Sequence, residues 1–230
     1  MKARYALFIV GLACTSLSAL AADNTSLNAR VKDATDVIRQ IMMTPDKAIP
    51  NSIARQATCI GVIPSVKKGA FIVGASYGQG VVTCRTRSGW SAPVFIRLAG
   101  GSFGLQIGGQ ATDLVLVAVN DKGFQDLLRS KFKIGADAAA AAGPVGRNAS
   151  AGTDLRLNAE LLTYSRSKGL FAGIDLNGAV VSQNTDDTNA FYGGTAQSFD
   201  KILHGGVPVP AGAQPFVRVV GKYFAAAHAD

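Results

Sequence analysis

Between residues 59 and 119 the hydrophobic positions form short β-branched and aromatic segments rather than a helical repeat. Gly, Pro, Ser or Asn interrupts these segments every six to twelve residues, which is typical of strands joined by turns and bulges. The pattern predicts a meander of antiparallel strands at 59–63, 70–76, 80–85, 93–98, 102–107 and 114–119.

Helical spacing appears on both sides of this meander. Residues 26–43 carry an apolar stripe that includes Leu27, Val31 and Ile38, with charged residues between, which predicts an amphipathic helix ended by Pro45. Further helices are predicted at 50–57, 121–131, around Phe191 and Tyr192 after a polar turn at 184–189, at 197–203, and after the prolines at 208, 210 and 215.

The remaining segments complete the predicted fold class. Residues 134–152 predict a poor strand and a loop, and 155–164, 169–176 and 179–183 return to strand patterning. The sum is an α+β fold, in which an antiparallel β meander forms a sandwich or barrel-like core flanked by several helices.

The N-terminus predicts export. Lys2 and Arg4 precede an apolar run that ends at Ala19-Leu20-Ala21, the pattern of a secretory signal peptide in 1–21. Residues 22–230 would then form a single domain, with a core at about 28–205 and a C-terminal helical extension at 206–230, in the periplasm or envelope. Leu12-Ala13-Cys14 leaves a second possibility, a lipoprotein anchored to a membrane through Cys14.

Two further cysteines follow the predicted signal. Cys59 and Cys84 lie at the ends of predicted strands in one meander. An even pair in an oxidising compartment predicts a disulfide, and two separate buried thiols are the alternative.

The ordered motifs of the chain resemble a known family. CIGVIPSVKKGAFIVG, YGQGVV, CR, GWSAP and GGSFGLQIGG follow one another, and TYSRSKGLFAGIDLNGAVV comes later. This order resembles the SYLF domain, found in secreted bacterial proteins and in eukaryotic membrane-trafficking and actin-patch proteins. The resemblance covers roughly residues 28–205.

The resemblance implies a binding function. Eukaryotic SYLF domains are associated with phosphoinositides, partly through an N-terminal amphipathic helix and basic residues, and some bind and bundle actin. By position, the helix at 27–42 with Arg30, Lys32 and Arg39 corresponds to that element. Asp33 and Asp36 interrupt its basic face, a departure that weakens its attraction to anionic lipid.

Catalytic and metal motifs are weak. Residues 74–78 fit a G-x-S-x-G pattern around Ser76, for which His204 with Asp175 or Asp186 would be partners. A nucleophile elbow needs a helix after the Ser, whereas a strand pattern follows here, so we expect a hairpin turn and no enzyme. Asp186, Asp187 and Asn189 lack a calcium-loop spacing and predict a helix cap instead. No zinc or phosphate-loop motif is present, and no cofactor is expected.

Charge supplies the remaining signal. The chain carries a net charge of +8, and its basic residues fall mostly at predicted strand ends. The predicted lipid contacts are Arg30, Lys32, Arg39, Lys67, Lys68, Lys131, Lys133 and Lys168. The sequence thus predicts a non-enzymatic protein of the bacterial envelope that binds anionic phospholipid or another lipid at a membrane surface. The alternative is an envelope structural or protein-interaction protein without lipid specificity. Nucleic acid is disfavoured, because the chain is predicted to be exported and shows no aromatic stacking motif.

Overall fold

A computed structural model describes residues 15–44, 49–70, 74–102, 110–145, 159–167, 170–173, 176 and 178–225. Its helices are α1 (Thr15–Met42), α2 (Asn51–Gln56), α3 (Asp121–Leu128), α4 (Thr185–Phe191), α5 (Phe199–Leu203) and α6 (Gln214–Tyr223), the last preceded by a 3₁₀ turn at Ala211–Ala213. Its strands are β1 (Cys59–Ala70), β2 (Gly74–Thr86), β3 (Gly89–Trp90), β4 (Val94–Ser102), β5 (Gln110–Ala118), β6 (Lys131–Lys133), β7 (Ala140–Ala142), β8 (Leu161–Ser167), β9 (Leu170–Gly173) and β10 (Val180–Gln183).

The strands form one curled sheet in the order β6-β10-β4-β2-β1-β5-β8-β7, with β9 beside β8 and β3 beside β2. The described pairs are antiparallel except β7–β8, which is parallel. Helices flank this half-barrel. The α+β class is therefore confirmed, and of the two predicted forms the core is barrel-like.

The central strands bury both of their faces. One face, here called the helix face, packs against α1, α2 and α6; its buried strand residues are Ile60, Val62, Val81, Phe95, Val115, Val117, Leu162 and Tyr164. The opposite face packs against α5 and against Ile134, Ala138, Leu176 and Ala179 between the strands; its buried strand residues are Cys59, Ile63, Val66, Val82, Cys84, Val94, Ile96, Leu98, Leu114, Leu116, Ala118, Phe132, Leu161 and Val181. Because both faces are apolar, these strands read as continuous hydrophobic runs instead of strict alternation.

The predicted amphipathic helix packs on the sheet. Leu27, Val31, Ala34, Ile38 and Ile41 are buried in the helix-face core. The helix begins at residue 15, well before the predicted start at 26. The signal peptide itself stays a prediction.

The first hairpin is longer than predicted. The strands expected at 59–63 and 70–76 are separate in the sequence pattern, but β1 runs through Pro64 without ending, and β2 runs through the expected turn at 77–79. A bulge explains the difference. Ser65 takes a φ of 49°, and the register shifts between Val62 and Lys67, so the strand bends there and continues.

Gly80 serves this bulge, not a turn. A Cβ on Gly80 would lie 2.0 Å from the carbonyl oxygen of Val62, so only glycine lets the two strands approach here.

Other predicted bounds shift by a few residues. The strand expected at 102–107 meets the end of β4 at Ser102, and 103–109 lie outside the described residues. The strand expected at 155–164 begins at Leu161 in β8, and 151–158 are likewise outside them. The polar turn expected at 184–189 is mostly helical, because Asn184 caps α4 at once.

The predicted disulfide is present. Cys59 and Cys84 are directly opposite in β1 and β2, with Cα atoms 4.0 Å apart, and both are buried. The bond closes a loop with a sequence separation of 25 and joins the open ends of the long hairpin.

Replacing both cysteines, as C59A/C84A, is expected to lower the free energy of unfolding by about 3 kcal/mol, because the unfolded chain regains the entropy of an open loop. Urea denaturation followed by circular dichroism measures this. A reducing agent should destabilise the wild type and leave the double variant unchanged. Equal stability of the two proteins without reductant would contradict a structural role for the bond.

Gly80→Ala is expected to destabilise the protein by about 3 kcal/mol, since the added methyl group meets backbone, which cannot rotate away. Gly61→Ala is the matched control, because its nearest contact would be an ordinary 3.4 Å from the side chain of Leu116. Both are central-strand glycines. Thermal unfolding of the two variants tests the argument, and similar losses would show that the close approach is not the cause.

Candidate functional site

The exposed side of α1 is electrically balanced. Lys32 donates to Asp36 at 2.7 Å, and Arg39 lies 3.5 Å from the same carboxylate. The hydrogen bond to Asp36 raises the pKa of Lys32, so this lysine stays charged and paired. Asp33 is exposed beside them. Two of the predicted lipid contacts therefore sit on a surface where acids offset bases.

Arg30, also on α1, points inward. Its Nη1 donates to Asp187 of α4 at 2.5 Å, and its Nη2 donates to the side-chain oxygen of Gln79 in β2 at 2.8 Å. The guanidinium lies 5.6 Å from the centre of the Phe95 ring. Only 18% of the Arg30 side chain and 19% of the Asp187 side chain are exposed. Arg30 thus ties α1 to α4 and to the sheet.

A row of paired residues crosses the sheet beyond these helices. Lys67 is opposite Tyr77, Tyr77 is opposite Ala99, Ala99 is opposite Val180, and Val180 is opposite Lys133. Directly paired residues point to the same side of a sheet. We call these five residues the open row.

The open row belongs to the helix face. Gln79, two positions along β2 from Tyr77, reaches Arg30 of α1, so Tyr77 points to the same side. Yet Lys67, Ala99 and Lys133 are exposed, Val180 is partly exposed, and 49% of Tyr77 is open to solvent. The helices therefore cover only part of this face.

The lysine side chains of this region form no ion pair within the described part of the chain. No described carboxylate lies within 4.0 Å of the ammonium group of Lys67, Lys131 or Lys133. Asp137 does lie close by, because its carboxylate accepts from the backbone N–H of Lys133 at 2.7 Å. The nearby Asp113 is taken by Arg166 at 2.7 Å and by the backbone N–H of Ser65 at 2.9 Å. The uncovered part of the helix face therefore carries an excess of positive charge.

The predicted contacts thus divide into groups. The structure brings Lys67, Lys131 and Lys133 to one face, spread over about 20 Å at the usual strand spacing. It separates Lys32 and Arg39 from them on α1. The side chain of Lys68 and the whole of Lys168 lie outside the described residues, so these two stay predictions.

Sequence reasoning missed Tyr77, the exposed aromatic side chain next to Lys67 in the open row. The sequence pattern places Tyr77 in a turn, because the glycines close to it favour one. Two residues of the neighbouring row, Arg97 and Ser182, were missed for a different reason: only strand pairing places them beside Lys131. The alternation Lys131-Phe132-Lys133 indicates a strand with one exposed and one buried face, and it could have placed both lysines on the same side.

The catalytic alternative lacks its geometry. Ser76 lies inside β2 with strand on both sides, and its hydroxyl donates to the carbonyl of Gly100 at 3.2 Å. His204 hydrogen-bonds within its own turn, to the carbonyl of Asp200 at 2.9 Å. Asp175 is outside the described residues. The G-x-S-x-G match is a strand segment and not an elbow.

The acidic residues near 186 belong to a helix terminus. Asn184 accepts from the backbone N–H of Asp187, and Asp187 and Asp186 lie near Arg30 and Arg97. This confirms the predicted cap. Within the described ranges no group of three or more His, Cys, Asp or Glu side chains could hold a metal ion. In the same part of the chain, no helix combines the length and apolar character needed to cross a membrane.

The Arg30–Asp187 pair is expected to show strong coupling in a double-mutant cycle with R30Q and D187N. Each single variant leaves one partly buried charge unpaired and should lose about 1.5–3 kcal/mol of stability, and the double variant should lose less than the sum. The exposed pair Lys32–Asp36, tested as K32Q and D36N, is the control and should show a much weaker coupling, of about 0.3–0.5 kcal/mol. Denaturant unfolding gives all the values. Additive losses at Arg30 and Asp187 would show that the pair does not hold α1 in place.

Comparison with known proteins gives the family. A profile of the family described as "Ysc84: Las17-binding protein actin regulator" matches residues 99–223. The SH3 domain-containing YSC84-like protein 1 of Rattus norvegicus is 32% identical over 206 residues, which are 86% of this chain and 60% of that protein.

Fungal relatives show the same relation. An SH3 domain-containing protein of Schizosaccharomyces pombe is 32% identical over 86% of this chain and 48% of its own length, and the protein YSC84 of Saccharomyces cerevisiae is 30% identical over 85% and 43%. The chain thus spans 60% or less of these curated relatives. With the profile covering more than half of its residues, the chain belongs to the Ysc84 family, which confirms the resemblance to the SYLF domain.

Proposed function

We propose that this chain is a non-enzymatic protein of the bacterial envelope that binds anionic phospholipid at a membrane surface. The observation that carries the proposal is the group of lysines Lys67, Lys131 and Lys133 on the uncovered part of one sheet face, whose ammonium groups form no ion pair with a described residue. Each Lys near an anionic bilayer contributes about 1 kcal/mol of attraction. Export through the predicted signal peptide, with or without lipidation at Cys14, would bring the domain to such a surface.

The proposed contact differs from the one that the resemblance implied. Leu27, Val31 and Ile38 of α1 are buried against the sheet, so the apolar stripe of that helix is already occupied. Its outer charges balance one another. We therefore assign the contact to the open row and Lys131, with α1 as a support for the sheet.

Tyr77 fits the same contact. An aromatic ring with a hydroxyl group suits the boundary between headgroups and acyl chains, where one end is apolar and the other is wet. It lies beside Lys67 on the neighbouring strand and is half exposed. The row thus combines cations at both ends with an amphipathic ring between them.

A protein partner is the second candidate. The family description names Las17 binding and actin regulation, and relatives carry an SH3 domain by name. An exposed Tyr flanked by Lys and small residues also suits a protein interface, in which Tyr is enriched. In this case the open row would contact an envelope protein, or another copy of the chain, without lipid preference.

The membrane proposal predicts a binding loss in the variant K67E/K133E. Co-sedimentation with vesicles of phosphatidylglycerol in phosphatidylcholine is expected to weaken more than tenfold, because two attractive charges become repulsive. Binding of the wild type should also fall as salt rises.

The matched control is K201E/K222E, which makes the same change in net charge at exposed lysines of α5 and α6. It should bind nearly as well as the wild type. Equal losses would mean that net charge, and not the open row, attracts the protein. A wild-type protein that pellets with neither anionic nor neutral vesicles would overturn the membrane function, and crosslinking in intact cells would then identify the protein partner.

A further inference from the structure

Beside the open row, a second row brings two cations and a hydroxyl group together. Lys131 of β6 is opposite Ser182 of β10, and Ser182 is opposite Arg97 of β4. Cβ atoms of directly opposite residues lie about 5 Å apart, so the three side chains start within about 10 Å of one another on one face. Lys131 is exposed, and the other two are partly exposed.

Ser182 lies at the centre of this row. Among the described residues, no group forms a hydrogen bond with its hydroxyl. A hydroxyl between two cations can donate to an anion that both cations attract. This placement therefore gives a neutral donor at the point where the two positive charges converge.

Arg97 is held in position from one side. Its Nη2 donates to the side-chain oxygen of Asn184 at 2.6 Å, and Asn184 is itself buried as the cap of α4. The carboxylate of Asp186 is 3.8 Å away, beyond hydrogen-bond distance, and 87% of that side chain is exposed. The described residues accept no bond from Nε or Nη1 of Arg97. The guanidinium of Arg97 is thus held in one orientation, and its Nε and Nη1 groups remain available as hydrogen-bond donors.

Lys131 supplies the second cation and Lys133 a third nearby, and neither ammonium group forms an ion pair in the described part of the chain. Ammonium and guanidinium groups offer only hydrogen-bond donors, and a hydroxyl group can donate as well. Such a set of donors matches the acceptor oxygens of a tetrahedral oxyanion.

We propose that Lys131, Ser182 and Arg97 form a binding site for a phosphate group, with Arg97 and Lys131 on its oxygens and Ser182 donating between them. The phosphate can belong to a lipid headgroup or be free in solution. The headgroup case rests on the proposed membrane function, since the site then faces the bilayer together with the open row.

Of the described acids, Asp186 lies 3.8 Å from Arg97, Asp187 accepts from the Asn184 that holds Arg97, and Asp137 accepts from the backbone of Lys133. Asp187 is already paired with Arg30, so Asp186 is the acid whose charge most directly opposes binding.

Titration with inorganic phosphate tests the site itself. Backbone amide signals of Lys131, Ser182 and Arg97 in nuclear magnetic resonance spectra should move and saturate, while sodium chloride at equal ionic strength should not move them. Ser182→Ala is expected to weaken binding about tenfold through the lost hydrogen bond to a charged group. Asp186→Asn should tighten binding about threefold by removing the opposing charge. Ser52→Ala, at an exposed Ser of α2, is the control and should change nothing.

Vesicles distinguish the two sources of phosphate. The test compares phosphatidic acid with phosphatidylglycerol in vesicles matched for total negative charge. For a headgroup site, the wild type prefers phosphatidic acid, S182A loses the preference, and the control Ser52→Ala keeps it. Saturable phosphate binding without that preference assigns the site to free phosphate.

The inference fails if phosphate produces no saturable shift at this row and the wild type shows no preference for phosphatidic acid. It also fails if the shifts are equal in S182A and the wild type. Failure of the membrane function is a separate result, in which neither vesicle pellets the wild type while the phosphate titration still saturates at the row.

Discussion

The burial of both faces of the central strands is the constraint on which this fold depends. β1, β2, β4 and β5 place apolar side chains on both sides of the sheet, and each side needs its own cover. α1, α2 and α6 supply it on the helix face, while α5 and apolar residues of the turn at 134–138 supply it on the opposite face. An antiparallel sheet with one solvated face would need covering elements on its other face only. The long N-terminal helix is therefore first of all part of the core.

The same constraint decides which surface is available for binding. The helix cover ends where Arg30 meets Asp187 and Gln79, and beyond that line the strands continue into solvent. Small residues such as Ala99 replace the large apolar ones there, and lysines appear at the margins. The strand extension itself depends on the bulge at Ser65 and on the bare backbone of Gly80. The bulge and the glycine in the middle of the hairpin thus allow its strands to continue to the open row near the far end.

The disulfide and the open row lie at opposite ends of one hairpin. Cys59 and Cys84 join its strands where the chain enters and leaves. The open row crosses it near the other end. A partner that presses on Lys67 and Tyr77 therefore meets a hairpin whose base is covalently closed, which limits how far the two strands can shift against each other.

Much of the fold was readable from local patterns. The apolar spacing of residues 27–41 predicts α1, the cysteine pair predicts the crosslink, and the polar segment 184–189 predicts a helix cap, which the structure assigns to Asn184. The strand lengths near 64 and 78 were wrong, because Pro and Gly favour turns locally and only the neighbouring strand shows that they serve a bulge. The sequence predicts that the binding residues are basic and lie at strand ends, but it does not show which of them share one face of the sheet.

The sequence by itself determined the family, the α+β class, the amphipathic character of α1 and the excess of basic residues, because these depend on composition and short-range spacing. Only the tertiary structure decided that α1 buries its apolar stripe against the sheet. It likewise decided that Arg30 is paired with Asp187, whereas the ammonium group of Lys67 forms no ion pair with a described residue. It also decided that Lys131 stands beside Ser182 and Arg97. These facts depend on strand register and helix docking, which join residues far apart in the chain and leave no periodic signal along it.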